Sequence, residues 1–206
     1  MISAHDKYAL EYDQQIEKYN CHLAEVLFGL CYEGINRGER LLDVGIGTGI
    51  SSRLFIKAGL HILGIDSSRA MIAICREKKM AQELIEQDIL SIPWPYQDAS
   101  INHIVSCGVF HFIGDLEDIF AEIQRIQIVN GLLAFTLRIG EEKEGGRQKY
   151  HRLIEDDIPI FEHNIEYIVK LLSDFHYIKT KDIACFVGNT PFRVICARKS
   201  DLHCTV

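Results

Sequence analysis

Hydrophobic and polar positions follow two patterns along this chain. Between Asp13 and Leu30 the apolar residues fall three or four positions apart, which predicts one amphipathic helix. Further on, short apolar runs alternate with stretches of helical spacing. The runs predict strands at 41–44, 61–66, 83–88, 101–106 and 131–138, and the stretches predict helices at 48–57, 68–79, 116–126 and 161–172.

The last third of the chain predicts a loop and a hairpin. The polar stretch from Gly140 to Tyr150, "GEEKEGGRQKY", has the character of a surface loop or lid. Strands are predicted from Tyr177 to Phe186 and from Phe192 to Arg198, on either side of the turn-like "VGNTP". Because strands and helices alternate before that point, we expect an α/β fold: a doubly wound, mostly parallel sheet of seven strands, with helices on both faces and an antiparallel C-terminal hairpin.

Length and composition favour a single domain. The chain has 206 residues, of which 48% are hydrophobic and 25% charged, as in ordinary globular proteins. We expect one domain over 1–206, in which 1–37 form a helical lid segment and 38–206 form the core. The formal net charge of -7 argues against nucleic acid as a partner.

The cysteines and the apolar runs bear on location. The seven cysteines include no C-x-x-C pair, so we expect reduced thiols and no metal site. The chain shows no signal-peptide pattern and no apolar run of the ~20 residues that span a bilayer. These features favour a cytoplasmic protein with no membrane partner, either a monomer or a homodimer.

Three glycines follow the first predicted strand in the stretch "LLDVGIGTGISS". Gly45, Gly47 and Gly49 leave bare backbone at the carboxyl end of a strand, where ligands of such sheets bind, although a plain tight turn is the simpler explanation. The dinucleotide pattern G-x-G-x-x-G requires a third glycine where this chain has Ile50, which disfavours a pyrophosphate. No Gly-Lys-Ser/Thr follows, which excludes a P-loop.

Acidic residues end the next two predicted strands. Asp66 is placed to accept hydrogen bonds from the two hydroxyls of a ribose, although it could equally be a turn or helix cap. Asp88 suits an adenine amino group, and Ile89 offers an apolar contact to the ring. Together with the glycines, these residues indicate a nucleoside-like ligand. By contrast, we expect Trp94 and Tyr96, in a proline-rich loop, to pack at the surface.

With these motifs in register, the chain resembles the class I S-adenosylmethionine-dependent methyltransferases, in particular the small type 11 members. "LLDVGIGTG" is similar to their first motif, and "ASINHIVSCGVFHFI" and "VNGLLAFTL" resemble the regions of their fourth and fifth strands. The resemblance implies a Rossmann-like fold, S-adenosylmethionine as cofactor and S-adenosylhomocysteine as product. It also implies backbone contacts of the glycines with the methionine end of the cofactor, with Asp43 steadying the loop or reaching the amino group through water. The implied cofactor-binding residues are Asp43, Gly45, Ile46, Gly47, Gly49, Asp66, Ser67, Met71, Asp88, Ile89 and Cys107.

The acceptor side is less defined by the sequence. His111 is a candidate catalytic base or substrate contact, and equally a histidine that packs under the next helix. Tyr8 and Tyr12 could close over the site or be core aromatics, and Arg138 could hold an acidic acceptor or simply be exposed. Residues 107–110, Cys-Gly-Val-Phe, replace the Asn/Asp-Pro-Pro-aromatic run of the DNA and amide N-methyltransferases, which argues against amino groups conjugated to a ring or carbonyl.

The sequence therefore predicts methyl transfer to an unidentified acceptor, most simply a small molecule. A cofactor-binding or regulatory module without catalysis remains an alternative, because no acceptor signature is visible. An NAD-dependent oxidoreductase is a third possibility, opposed by Ile50.

Overall fold

The computed structural model describes residue 9 and residues 11–140 and 148–201. Nine strands and six α-helices lie in this part of the chain. The strands are β1 Arg40–Val44, β2 His61–Asp66, β3 Glu83–Glu86, β4 His103–Ser106, β5 Leu132–Ile139, β6 Tyr150–Glu155, β7 Ile158–His163, β8 Tyr177–Val187 and β9 Thr190–Lys199. The helices are α1 Tyr12–Lys18, α2 Leu23–Cys31, α3 Arg53–Ala58, α4 Arg69–Glu77, α5 Glu117–Ile126 and α6 Ile165–Asp174.

The strands form one mixed sheet with a parallel centre. Strands β3, β2, β1, β4 and β5 lie side by side in that order and are all parallel. The order reverses between β1 and β4, so a crevice opens at their carboxyl ends. Strand β9 pairs antiparallel with β5, and β8 pairs antiparallel with β9 as the predicted hairpin. The predicted doubly wound sheet and its antiparallel end are confirmed.

Alternating side chains divide the core between the two faces of the sheet. In β1, Leu41 packs with α2, α3 and α4 on one face, whereas Leu42 packs with α5 and α6 on the other. Both leucines are fully buried, as expected for a parallel strand covered on both sides. Trp94 and Tyr96 are buried in the core on the face covered by α5 and α6, so the prediction that they pack at the surface is wrong.

The single N-terminal helix predicted from the sequence is two helices. Helix α1 ends at Lys18 and α2 begins at Leu23, and between them Asn20 has a φ of 52°. A left-handed residue cannot continue a right-handed helix, although Asn tolerates this conformation better than most residues do. The break lets α2 pack into the core while α1 turns toward the carboxyl edge of the sheet.

A second hairpin, formed by β6 and β7, raises the strand count above the predicted seven. Strand β7 pairs in parallel with the end of β5, where Arg138 lies opposite Glu162. Phe161, predicted to begin a helix, lies in β7, and the helix begins at Ile165. Of the predicted loop at 140–150, residues 141–147 lie outside the described residues. The division of the chain into a lid at 1–37 and a core at 38–206 stays a prediction.

The helices of the described residues are all short compared with the thickness of a bilayer. None of them is long and apolar enough to cross a membrane.

Candidate functional site

A cleft of about 400 Å³ opens at the carboxyl edge of the sheet. This volume lies within the range of small-molecule sites, which is roughly 300–1,000 Å³. The cleft brings together most of the residues that the sequence singled out. Those that line it are Tyr12, Gly45, Ile46, Gly47, Asp66, Ser67, Met71, Asp88, Ile89, Cys107 and His111.

The turn after β1 needs its first two glycines for different reasons. Gly45 has a φ of 74°, and a Cβ there would lie 2.4 Å from Cγ2 of Val109, so any side chain would collide with the segment after β4. Gly47 has a φ of 55°, and a Cβ there would meet no atom of the described residues within 4 Å. The backbone at Gly47 therefore faces open space in the cleft, where a ligand can approach it closely.

Asp43 holds this turn from below. Its side chain is fully buried, and its Oδ2 accepts hydrogen bonds from the hydroxyls of Ser51 at 2.5 Å and Ser52 at 2.7 Å. Its Oδ1 is buried with no hydrogen-bond partner among the described residues. Burial raises the pKa of Asp43 to about 6, against the opposing effect of the two hydroxyl donors. The two serine hydrogen bonds fit the steadying role implied for Asp43. Its Oδ1 remains as an acceptor atom without a partner among the described residues.

Asp66 links the glycine turn to the next helix. Its Oδ2 accepts from the backbone N–H of Gly47 at 2.8 Å, and its Oδ1 accepts from that of Ser68 at 2.8 Å. Ser68 in turn caps α4, because its hydroxyl accepts from the N–H of Met71 at 3.2 Å. The carboxylate and the bare backbone at Gly47 are therefore direct neighbours in the cleft.

An apolar corner lies beside Asp88. Met71 and Ile89 are almost fully buried there, whereas Leu90 is 57% exposed and also lines the cleft. The Asp88 carboxylate accepts from the N–H of Leu90 at 2.9 Å. Indole Nε1 of Trp94 donates to the carbonyl of Ile89 at 3.0 Å, which fixes this corner to the core.

Helix α1 lies across the cleft and is tied to its floor. Asp13 accepts a hydrogen bond from the Thr48 hydroxyl at 2.6 Å and forms an ion pair with Lys78. Tyr12, one residue earlier, lines the cleft, and burial raises the pKa of its hydroxyl, which therefore stays protonated. Tyr8, the other tyrosine of the predicted lid, lies outside the described residues.

The far side of the cleft is an apolar wall, formed by Leu23, Ala24, His111, Phe112, Val187 and Phe192. The His111 ring lies 4.0 Å from the ring of Phe112 and 5.4 Å, edge to face, from that of Phe192. Cys107 is at the rim of this wall, and burial raises the pKa of its thiol, so it is not a thiolate.

Gly49 and Arg138 do not belong to the cleft lining. At Gly49, where φ is 86°, a Cβ would lie 2.3 Å from the Cβ of Met80, so this glycine serves chain packing. Arg138 is buried and pairs with Glu155 at 2.8 Å and Glu162 at 3.2 Å. The alternative that Arg138 is exposed is wrong, whereas its binding of an acidic acceptor stays a prediction, with two carboxylates already paired to its charge.

Sequence reasoning missed the apolar wall apart from His111. Its residues come from the start of α2, the segment after β4 and the tip of the β8–β9 hairpin. Each has an apolar side chain in a regular element, which is also the signature of a core residue. Only the predicted hairpin turn "VGNTP" hinted that the chain returns to the sheet edge here.

Known proteins were compared with the chain at the levels of sequence and fold. Residues 42–135 match the family model described as methyltransferase domain. The malonyl-[acyl-carrier protein] O-methyltransferase of Serratia marcescens is 33% identical over 110 residues, which are 53% of this chain and 42% of that protein. The chain spans about half the length of the curated relatives it matches, with shares of 42% and 60% in the first two.

Solved structures resemble the fold over nearly the whole chain. The methyltransferase in complex with the Trm112 methyltransferase activator of Haloferax volcanii has a TM-score of 0.76 at 15% identity, covering 98% of this chain and 100% of that one. The 1,6-didemethyltoxoflavin-N1-methyltransferase of Burkholderia thailandensis has a TM-score of 0.68 at 13% identity, covering 98% and 92%. Residues 42–135 thus match a methyltransferase domain, and this fold and the glycine turn beside Asp66 support a class I S-adenosylmethionine-dependent methyltransferase.

Proposed function

We propose that this protein transfers a methyl group from S-adenosylmethionine to a small-molecule acceptor. The observation that carries the proposal is the direct contact between Asp66 and the Gly47 backbone in one open cleft. A carboxylate beside bare backbone, at the carboxyl ends of adjacent parallel strands, suits a nucleoside with a charged tail. The class I S-adenosylmethionine-dependent methyltransferases use this cofactor, and the residues that line the cleft fit it.

The cofactor's sugar and base would lie toward β2 and β3. The carboxylate of Asp66 lines the cleft at the end of β2, and a carboxylate is an acceptor that suits the two ribose hydroxyls. Met71, Ile89 and Leu90 give the adenine ring an apolar surface, and the exposed carboxylate of Asp88 can accept from its amino group.

The amino-acid end of the cofactor would lie over the glycine turn. Bare backbone at Gly45 and Gly47 allows close approach, and the Oδ1 of Asp43 is an acceptor that still lacks a partner among the described residues. A positively charged amino group, reached directly or through water, would satisfy that buried oxygen. Leaving it unsatisfied costs roughly 1–3 kcal/mol.

When bound, the cofactor supplies a methyl group already activated by its positively charged sulfur. The protein then mainly holds the two reactants in line, which can supply as much as ~7–11 kcal/mol of the barrier. The acceptor atom forms its bond to the methyl carbon as the carbon–sulfur bond breaks, with the electron pair going to sulfur. The acceptor's proton then leaves, and His111 in the cleft wall is our candidate to receive it.

One comparison supports a small acceptor. The Burkholderia thailandensis structure holds a small heterocyclic acceptor, whereas the Serratia marcescens relative is named for a malonyl group carried on a protein. The net charge of -7 disfavours a nucleic-acid acceptor here, because phosphate backbones need basic surfaces. The rival function is that of a module that binds the cofactor without catalysing methyl transfer.

Calorimetric titration with S-adenosylhomocysteine tests the cofactor assignment. We expect Asp66→Asn to weaken binding about tenfold or more, since a hydrogen bond to a charged group contributes about 1.5–3 kcal/mol. Asp118→Asn, an exposed carboxylate on α5, is the matched control and should bind like the parent. Equal affinity of the two variants would refute the role of Asp66. Transfer of a labelled methyl group to an added acceptor excludes the pure binding role.

A further inference from the structure

The cleft continues past the residues assigned to the cofactor, and its far end has a different chemistry. Asp66 ends β2 and Phe192 lies on β9, four strand positions away along the edge of the sheet. At about 4.8 Å per strand this separation is roughly 19 Å. The polar part of the cleft and the apolar wall therefore lie at opposite ends.

Charged groups are confined to the polar end. Among the described residues that line the cleft, the carboxylates are those of Asp66 and Asp88, and no Lys or Arg lines it. Arg138, which the sequence suggested for an acidic acceptor, does not line the cleft and forms ion pairs with Glu155 and Glu162. A carboxylate acceptor would lose its hydration at the apolar wall, where no Lys or Arg among the described residues offers an ionic partner.

The aromatic side chains of the apolar wall suit a flat ring. The ring centroids of Phe112 and Phe192 lie 4.0 Å and 5.4 Å from that of His111, the second in an edge-to-face arrangement. Aromatic surfaces at such angles bind another ring by stacking or by edge-to-face contact. Leu23 and Val187 add aliphatic contacts, and the imidazole is the polar group that can meet a hydroxyl or ring nitrogen.

We infer that the methyl acceptor is an uncharged, ring-bearing small molecule, with a hydroxyl or ring nitrogen as the methylated atom, bound against the apolar wall. This inference rests on the proposed function. A hydroxyl acceptor gives its lone pair to the methyl carbon and its proton to His111, while the electrons of the broken carbon–sulfur bond stay on the departing thioether. Because no Lys or Arg among the described residues lines this wall, we expect a free carboxylate to bind there more weakly than its neutral counterpart.

Matched ring compounds test the inference on the complex with S-adenosylhomocysteine. The probes are naphthol with hydroxynaphthoate, and hydroxyquinoline with its carboxylate. Calorimetry should show that at least one neutral probe binds, and that its charged counterpart binds about tenfold or more weakly, because an unpaired charge is costly to bury. With labelled S-adenosylmethionine, the neutral probe should also be the better methyl acceptor.

A variant pair on the β8–β9 hairpin locates the binding surface. Phe192→Ala should weaken the neutral probe about tenfold, since well-packed, buried anchor side chains are the ones whose truncation costs most at a binding surface. Its affinity for S-adenosylhomocysteine should stay within about twofold. Phe186→Ala, at a ring that is 66% exposed on β8, is the matched control and should change neither. Phe192→Leu keeps the apolar volume if the alanine variant does not fold.

Three results would overturn the inference. These are stronger binding of the charged probe in both pairs, failure of every neutral probe to bind while S-adenosylhomocysteine binds normally, or unchanged probe affinity in both Phe192 variants. If instead the folded parent protein does not bind S-adenosylhomocysteine, the proposed function fails first. The calorimetric titration without acceptor separates these two cases.

Discussion

At the scale of single residues, Asp43 gives the site a pH dependence. Its pKa is raised to about 6 by burial, so it is largely ionised at pH 7 and takes up a proton as the pH falls below 6. A cationic amino group attracts the ionised form and not the neutral one. The negative charge of Asp66 also raises the pKa of Asp43. Asp66 is unchanged in the Asp43→Asn variant, so that variant removes only the carboxyl at position 43.

We therefore expect S-adenosylhomocysteine to bind more weakly as the pH falls from 7 to 5, by up to about tenfold per unit below the pKa. Asp43→Asn should bind more weakly at pH 7 and should lose most of this slope, because no carboxyl remains there to titrate. Calorimetry at several pH values measures both effects. A parallel slope in the variant would mean that another group is responsible.

The first glycine of the turn gives a second prediction. Gly45→Ala places a Cβ 2.4 Å from Val109 at a φ of 74°, so we expect a loss of about 1–3 kcal/mol in the free energy of unfolding and at least tenfold weaker cofactor binding. Gly29→Ala, at an exposed position inside α2 with open space around it, should instead stabilise the protein by about 0.5–1 kcal/mol. Chemical denaturation of both variants checks the contrast, which would vanish if Gly45 were replaceable.

Residue chemistry explains which parts of the site the sequence predicts. Acidic residues and glycines are uncommon in buried strands, so Asp43, Asp66 and the glycines can be recognised in the sequence. Because they lie at the ends of parallel strands, they meet on one edge of the sheet. Phe192 and Leu23 look like any core residue until the chain is folded. Polar and glycine positions could therefore be predicted, and the apolar wall could not.

At the scale of elements, two boundaries depend on residues with positive φ. Asn20 divides the N-terminal helix, and Asp156 and Asp157, with φ of 49° and 63°, form the two-residue turn of the β6–β7 hairpin. Two adjacent left-handed residues match a hairpin turn, so a signal was present in the sequence. It was hidden because Phe161 also fits the helical spacing that continues from Ile165.

The β6–β7 hairpin is fixed to the sheet through Arg138. Arg138→Met should lower the free energy of unfolding by about 1–3 kcal/mol, because Glu162 and the half-exposed Glu155 lose their partner in a partly buried setting. Cofactor affinity should stay unchanged, since Arg138 does not line the cleft. Thermal unfolding and calorimetry measure the two quantities. A large loss of ligand affinity without loss of stability would restore a binding role for this arginine.

At the scale of the whole molecule, the order of the strands decides what the cleft can do. The reversal between β1 and β4 opens the crevice, the parallel strands place the polar residues at one end, and the antiparallel β8–β9 hairpin brings the apolar wall to the other. The crevice and its polar end were predictable from the alternation of strands and helices. The contacts between the two ends depend on packing that no local pattern encodes.

Ligand binding should be visible in the stability of the entire domain. At a concentration of S-adenosylhomocysteine about 100 times its Kd, the folded state gains about 2.7 kcal/mol, which for a chain of this size raises Tm by roughly 5–10 °C. In Asp66→Asn, with Kd about tenfold higher, the same concentration should give about 1.4 kcal/mol, or half the shift. Thermal scans of the parent and the variant measure both, and NAD at the same concentration should shift Tm in neither. A larger shift with NAD would favour the oxidoreductase alternative, because only a ligand that prefers the folded state can raise its melting temperature.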